Sequence, residues 1–229
     1  LMVERMNSDL ANILGNLVNR TISMTNKYFG GEVRNGGASE AVDEDLKNVV
    51  LESVKKTDAK MNDLRVADAI TEIFNIFRRC NKYIDETMPW SLAKDEEKKD
   101  RLATVLYNLT EAITIGASLL ESFMPETSEK ILNQLHAQKR ELADMNQFGL
   151  YPSGEHVTDK PEILFARMDL KEVMEKVEAM QTSAKAEAEP DKTDEEPVID
   201  IEAKPEITYD DFAKLQFQVG EIIKCEAVK

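Results

Sequence analysis

The segment from Asn7 to Gly31, NSDLANILGNLVNRTISMTNKYFGG, decides how the chain is read. At about 100° per residue, Leu10, Ile13, Leu14, Leu17, Thr21 and Met24 fall on one side of a helix. Asn12, Asn16 and Arg20 stand at i, i+4 and i+8 and form a stripe on the flank of that side. Gly30-Gly31 supply a helix end. A helix so built packs by one face and displays two carboxamides and a guanidinium in a row. Such a row can pair with the hydrogen-bonding edges of something planar, a nucleobase above all. A solvated polar face is the plainer alternative.

Outward from this helix, Glu32 to Ala38 contains Asn35-Gly36-Gly37 and reads as a turn-rich loop. Asp43 to about Lys60 is expected as a second helix, with acids at its start, Leu46, Val49, Val50 and Val54 on one face, and lysines at its end. A third is expected from about Asn62 to Glu86, with Leu64, Ala67, Ile70, Ile73, Phe74, Phe77 and Ile84 at helical spacing. Asn81 sits on that seam and needs hydrogen-bond partners if buried. Pro89 stops this helix, and Trp90 follows. Lys94 to Phe123 reads as a long fourth helix, charged first and then apolar through Leu102, Val105, Leu106, Leu109, Ile113 and Leu120. Pro125 suits the first turn of a fifth, Glu126 to about His136. Residues 147–167 have no strong period, with Leu164-Phe165 as an apolar anchor, and Asp169 to Met180 is a short final helix. The first 180 residues are therefore expected to be all-α, an antiparallel helix bundle.

Beyond them, Gln181 to Glu206 holds nine acids, three lysines and three prolines, the composition of a solvated linker. After it, Ile207 to Phe212 suggests one capped helical turn, and Leu215, Phe217 and Val219 alternate like a strand before Gly220. Residues 207–229 are too few for a core of their own. The chain opens with Leu inside helical periodicity and stops mid-strand, so it reads as a piece of something larger.

A net charge of −15 opposes a broad basic surface for nucleic acid and leaves room only for a local site. Cys80 and Cys225 have no CxxC partner, which suits a reducing, cytoplasmic setting. No signal peptide and no apolar run near a span's length of roughly 20 residues is visible, so no membrane is expected as a partner. His136 and His156 have no partner at metal spacing, and HExxH, GxSxG, P-loop and GxGxxG patterns are absent. No catalytic site can be argued from these residues.

Trp90, the only tryptophan, is either a packing plug over the bundle end or a stacking platform for an unpaired base. Base–aromatic stacking contributes about 1–3 kcal/mol. Arg65, Arg78, Arg79, Lys82, Lys94, Lys98, Lys99 and Arg101 flank its connection. They are candidates for phosphate contacts, with ordinary i, i+4 charge pairing as the alternative.

Three segments, NSDLANILGNLVNRT, KYIDETMPWSLAK and ESFMPETSEKILNQL, resemble the anticodon-binding helical domain of class I methionyl-tRNA synthetases. ITYDDFAKLQFQVGEI resembles the opening of the OB-fold tRNA-binding domain appended to many bacterial members. The resemblance implies domains at 1–180 (anticodon-binding bundle), 181–206 (linker) and 207–229 (truncated OB-fold start). It implies a partner, the CAU anticodon loop of tRNA(Met). The family's Asn-x3-Asn-x3-Arg helix matches Asn12, Asn16 and Arg20, and the tryptophan of its Pro-Trp pair matches Trp90. That match implies that Trp90 stacks on the anticodon's first base, cytosine, while Asn16 and Arg20 recognise it. The family's ATP- and magnesium-dependent nucleotide-binding fold, its HIGH-like and KMSKS-like signatures, its methionine pocket and its zinc knuckle have no counterpart in these residues. The resemblance also implies dimerisation through the OB-fold module, of which only the first segment is present. A helical scaffold with no RNA role is the rival reading.

Overall fold

Met2 to Phe29 forms one rod in the computed structural model of the protein, which describes residues 2–187 and 208–216. This rod, α1, has three parts: Met2–Arg5, a π-helical stretch Met6–Gly15, and the α-helical Asn16–Phe29. Where the π stretch ends, the Asn16 amide reaches back five residues to the Ala11 carbonyl. The wider turn rotates the packing face away from the one a uniform 100° step predicts. Leu14, Leu17, Val18, Thr21, Ile22 and Thr25 are buried, while Leu10, Ile13 and Met24 are only half-buried. The rod ends at Gly30, whose φ of 60° and 3.0 Å bond to the Asn26 carbonyl form a left-handed C-terminal cap.

A two-residue strand follows, β1 (Glu32–Val33). Helix α2 (Ala41–Asn62) starts in a capping box between Glu40 and Asp43, and α3 (Val66–Thr87) lies beside it. The third helix therefore starts later than Asn62. Leu64 stands in the tight turn at φ 59° and Ala67 is exposed, so neither joins the apolar seam expected of them. Asn81 does find its partners: its Nδ2 donates to the Ile13 and Phe77 carbonyls at 2.9 and 3.0 Å. A short turn α4 (Pro89–Leu92) and a 3-10 turn (Glu96–Lys98) lead into α5 (Lys99–Leu120). The fifth predicted helix is α6 (Pro125–Gln134), ending before His136, which has φ 48°.

Every residue of α5 from Arg101 to Leu120 is buried. By length and composition the stretch Glu96–Leu120 could cross a membrane, but its apolar part from Arg101 onward is buried within the protein, as in a central core helix. Gly116 lets α3 approach it, since a Cβ there would meet Phe77 Cε1 at 2.6 Å. Two carboxylates are sealed against this helix, and the burial of either without partners would cost several kcal/mol. Asp43, fully buried, accepts from Arg101 Nη1 and Nη2 at 2.7 and 2.9 Å, from the Glu40 amide at 2.8 Å, and from the Tyr83 hydroxyl. Glu111, also fully buried, accepts from Arg140 Nη2 at 2.9 Å and from the amides of Gly149, Leu150 and Tyr151 at 3.0, 3.0 and 2.8 Å.

Glu111 fixes the start of residues 147–167, read as aperiodic, against the bundle through the amides of 149–151. Among them β2 (Glu155–His156) pairs antiparallel with β1, a two-stranded sheet the sequence did not suggest. Asn26 Nδ2 also holds the Thr158 carbonyl at 2.8 Å. Chain contacts divide the protein into residues 1–179 and 180–229. Helix α7 (Leu170–Glu187) runs further than the Met180 expected for it, into the stretch read as linker. Thr208 and Asp211 cap a last turn, α8 (Tyr209–Phe212). The remaining linker, the strand read at Phe217 and Val219, and Cys225 lie outside the described residues.

Burial raises the Asp43 carboxyl, but the bonds from Arg101, Tyr83 and Glu40 outweigh it, and its pKa lies below the ordinary value. A lowered folded-state pKa adds stability that is present above the ordinary carboxylate range and is lost as pH falls through the lowered value. Acid titration of the urea midpoint should show this loss, and Asp43→Asn should flatten it. Arg101→Met, which leaves the carboxylate sealed and unpaired, should cost about 3–5 kcal/mol by urea unfolding at pH 7.

Candidate nucleic-acid interface

Asn12 and Asn16 are exposed on α1 and Arg20 is half-buried beside them. The Asn16 side-chain carboxamide and the Arg20 guanidinium make no hydrogen bond or ion pair among the described residues. Asn12 is engaged: its Oδ1 accepts from Arg167 Nη2 at 2.6 Å. Five residues earlier, Asn7 exchanges two bonds with the backbone of Met168, both 2.9 Å. In an α-helix, side chains five apart diverge. The wider π turn brings Asn7 and Asn12 nearer to one line, so both can grip the same strap. The strap, residues 163–168, also packs on Gly15, where a Cβ would stand at ordinary contact distance, 3.6 Å, from Phe165 Cδ2. Between strap and helix is a cavity of about 310 Å³ lined by Asn12, Gly15, Asn16, Phe165 and Arg167. Sequence reasoning noticed Leu164-Phe165 as an anchor and missed Arg167. The signal was there: a basic residue two positions after an apolar pair that had to dock somewhere.

Trp90 stands on α4, 43 % exposed, directly after the buried Pro89. Met88 before it has φ 45°, a left-handed turn that ends α3 and redirects the chain. No hydrogen bond or ring contact joins Trp90 to Asn12, Asn16 or Arg20. Along the bundle, α1 and α3 bring Arg20 about level with Met88, two residues before Trp90, while Asn12 stands beside the Ile13–Asn81 bond. Met6 and Leu10 share a cavity with Ile70, Phe74 and Arg78, and Ile13 is bonded to Asn81, so α1 and α3 run in the same direction. Arg20 and Met88 each lie seven residues beyond that bond, about 10 Å further along at 1.5 Å per residue.

Of the basic residues flanking this connection, two are corrected outright. Arg101 is buried on Asp43, and Arg79 is buried between Asp45 and Glu86 at 2.8 and 3.0 Å, so neither guanidinium can reach a phosphate. Arg65 pairs with Asp68, Lys82 with Glu86, Lys98 with Asp95 and Lys99 with Glu96, the local charge pairing given as the alternative. Arg78 donates to Asn75, and Lys94 has no partner among the described residues. His136 and His156 are both exposed, and no cluster of three or more metal-ligating side chains occurs among the described residues. Burial pushes the Cys80 thiol up to about 12, which makes it an inert core residue.

A family model described as the anticodon binding domain of methionyl tRNA ligase matches residues 33–185. Methionine–tRNA ligases of Clostridium perfringens, Caldanaerobacter subterraneus and Bacillus subtilis are 39 %, 41 % and 39 % identical to the chain. The matches cover 100 %, 100 % and 99 % of this chain and 34 % of each relative. The chain thus spans about a third of the length of the curated relatives it matches. Among solved structures, the apo form of Mycobacterium tuberculosis methionyl-tRNA synthetase is similar, with a TM-score of 0.68 and 30 % identity. That likeness covers 73 % of this chain and 34 % of the other.

Asn7→Ala should release the strap without disturbing the bundle. Hydrogen exchange should show the Met168 amide losing protection while the amides of α5 keep theirs. Unchanged protection at Met168 would mean that Asn7 does not hold it.

Proposed function

Since the chain belongs to the family of the anticodon binding domain of methionyl tRNA ligase, we propose that it reads the CAU anticodon of tRNA(Met) for a longer methionine–tRNA ligase. That ligase joins methionine to its tRNA through an aminoacyl-adenylate, using ATP. This chain carries recognition and no part of the ligation chemistry. The proposed setting is the cytoplasm.

In the proposed complex Trp90 stacks on the splayed-out cytosine, and Asn16 and Arg20 bond its Watson–Crick edge. The chemistry suits that base. Cytosine presents one amino donor beside two acceptors. A carboxamide oxygen takes the donor, and guanidinium N–H groups serve the acceptors. Uracil has nearly the same size with the donor pattern reversed, so it would leave polar groups unpaired at about 1–3 kcal/mol each. The observation that carries the reading is that the Asn16 and Arg20 side chains, unlike most polar side chains around them, have no partner among the described residues. Asn12 takes a supporting part, because its oxygen already holds Arg167. Arg167 and Lys94 are the cations best placed to meet phosphates, a few contacts in keeping with a net charge of −15.

At fixed salt, an anticodon stem-loop bearing CAU should bind the chain roughly 5- to 150-fold tighter than one bearing UAU, the equivalent of about 1–3 kcal/mol. Equal binding would reject the reading. Trp90→Ala should weaken CAU binding while helical circular dichroism is kept. Loss of helicity would make Trp90 a structural plug instead.

A further inference from the structure

The connection that carries Trp90 is held locally. Its backbone bonds run from Ser91 to Met88, Ala93 to Pro89, Asp95 to Leu92 and Lys98 to Asp95, all within the connection itself. Its ion pairs, Lys98–Asp95 and Lys99–Glu96, are local as well. Pro89 is buried and Leu92 and Ala93 pack against the core, so its position is set by this packing on α5 together with the points where it enters and leaves the bundle. On the entering side Tyr83 is fully buried, seven residues before Trp90, and its carbonyl accepts from the Thr87 hydroxyl in the last turn of α3 at 2.7 Å. On the leaving side is Arg101, 7 % exposed, in the first turn of α5.

Both meet the same carboxylate. Asp43 accepts from the Tyr83 hydroxyl on one side and from both Arg101 nitrogens on the other. Asn108 Nδ2 donates to the Tyr83 hydroxyl at 3.3 Å and closes the knot from α5. A carboxylate with bonds to both flanks of an 18-residue span fixes the distance between them, and a neutral side chain of the same shape holds them less firmly. We propose that Asp43 is a positioning residue for Trp90: by tying Tyr83 to Arg101 it sets the indole where the base is to stack. This rests on the RNA reading given above for its consequence, though not for its geometry.

Trp90 is the only tryptophan in the chain, so fluorescence excited beyond the tyrosine absorption band reports its surroundings alone. The test uses the full 229-residue chain with Asp43→Asn, Tyr83→Phe and, as a control, Glu111→Gln, which weakens an equally buried carboxylate further along α5. Asp43→Asn should keep helical circular dichroism at 20 °C while acrylamide quenching of Trp90 rises about twofold or more. CAU stem-loop binding should fall at least about fivefold, and the CAU-to-UAU ratio should narrow. Tyr83→Phe should move the quenching in the same direction by less. Glu111→Gln should lower the melting temperature and leave Trp90 quenching unchanged. Folded Asp43 and Tyr83 variants with wild-type quenching would overturn the proposal, as would a Glu111→Gln chain that shifts Trp90 equally. If Asp43→Asn fails to fold, Tyr83→Phe decides by the same quenching measurement. Wild-type protein that binds CAU and UAU alike would remove the RNA reading and leave the quenching comparison to decide the positioning.

Discussion

A carboxylate sealed from water has to be matched by donors on every side, and Asp43 meets that condition by drawing three helices to one point. Its own helix supplies the Glu40 amide, α3 supplies Tyr83, and α5 supplies Arg101. Removing any one donor leaves charge in an apolar interior, so the relative placement of α2, α3 and α5 is specified more tightly there than leucine packing alone would require. Apolar contacts provide most of the driving force for the bundle. The polar knot selects one arrangement among those the apolar faces would accept.

Glu111 does for the irregular chain what Asp43 does for the helices. Three consecutive backbone amides at 149–151 need acceptors if they are to lie against the bundle, and a single carboxylate from the central helix satisfies them. With that segment placed, the strap that follows can reach α1, where Asn7 and Asn12 receive it. The π stretch of α1 contributes twice: it shifts the packing face toward Val18, Ile22 and Thr25 and presents two asparagines to the strap. Asn16 and Arg20, the side chains proposed to read the base, are ones that this internal bonding leaves unused among the described residues.

Much of the architecture was legible beforehand. Helical periodicity located α1, α2, α3, α5 and α6 to within a few residues, because an apolar stripe must recur at the helical period to reach a core. Proline at 89 and 125 and glycine at 30 marked ends for backbone reasons that hold in any context. Leu64 and Ala67 were misread because periodicity counts apolar residues without knowing where the turn falls. The basic run from Arg65 to Arg101 looked uniform in sequence, yet Arg101 turns inward to the buried Asp43 and Arg79 is itself buried beneath the exposed Asp45 and Glu86, while Lys94 stays exposed. A guanidinium's destination depends on which carboxylate the fold places opposite it.

What the chain determines by itself is therefore the set of helices, the polar stripe Asn12–Asn16–Arg20 and the indole after Pro89. Each of these follows from local rules of spacing and backbone geometry. Only the tertiary structure decided that Asp43 and Glu111 are interior groups, that Arg167 lies against Asn12, and that the connection bearing Trp90 is tied at both ends to one carboxylate. Those facts rest on side-chain bonds between residues 29 to 155 positions apart, and a partner so distant leaves no periodic trace in the residues near it.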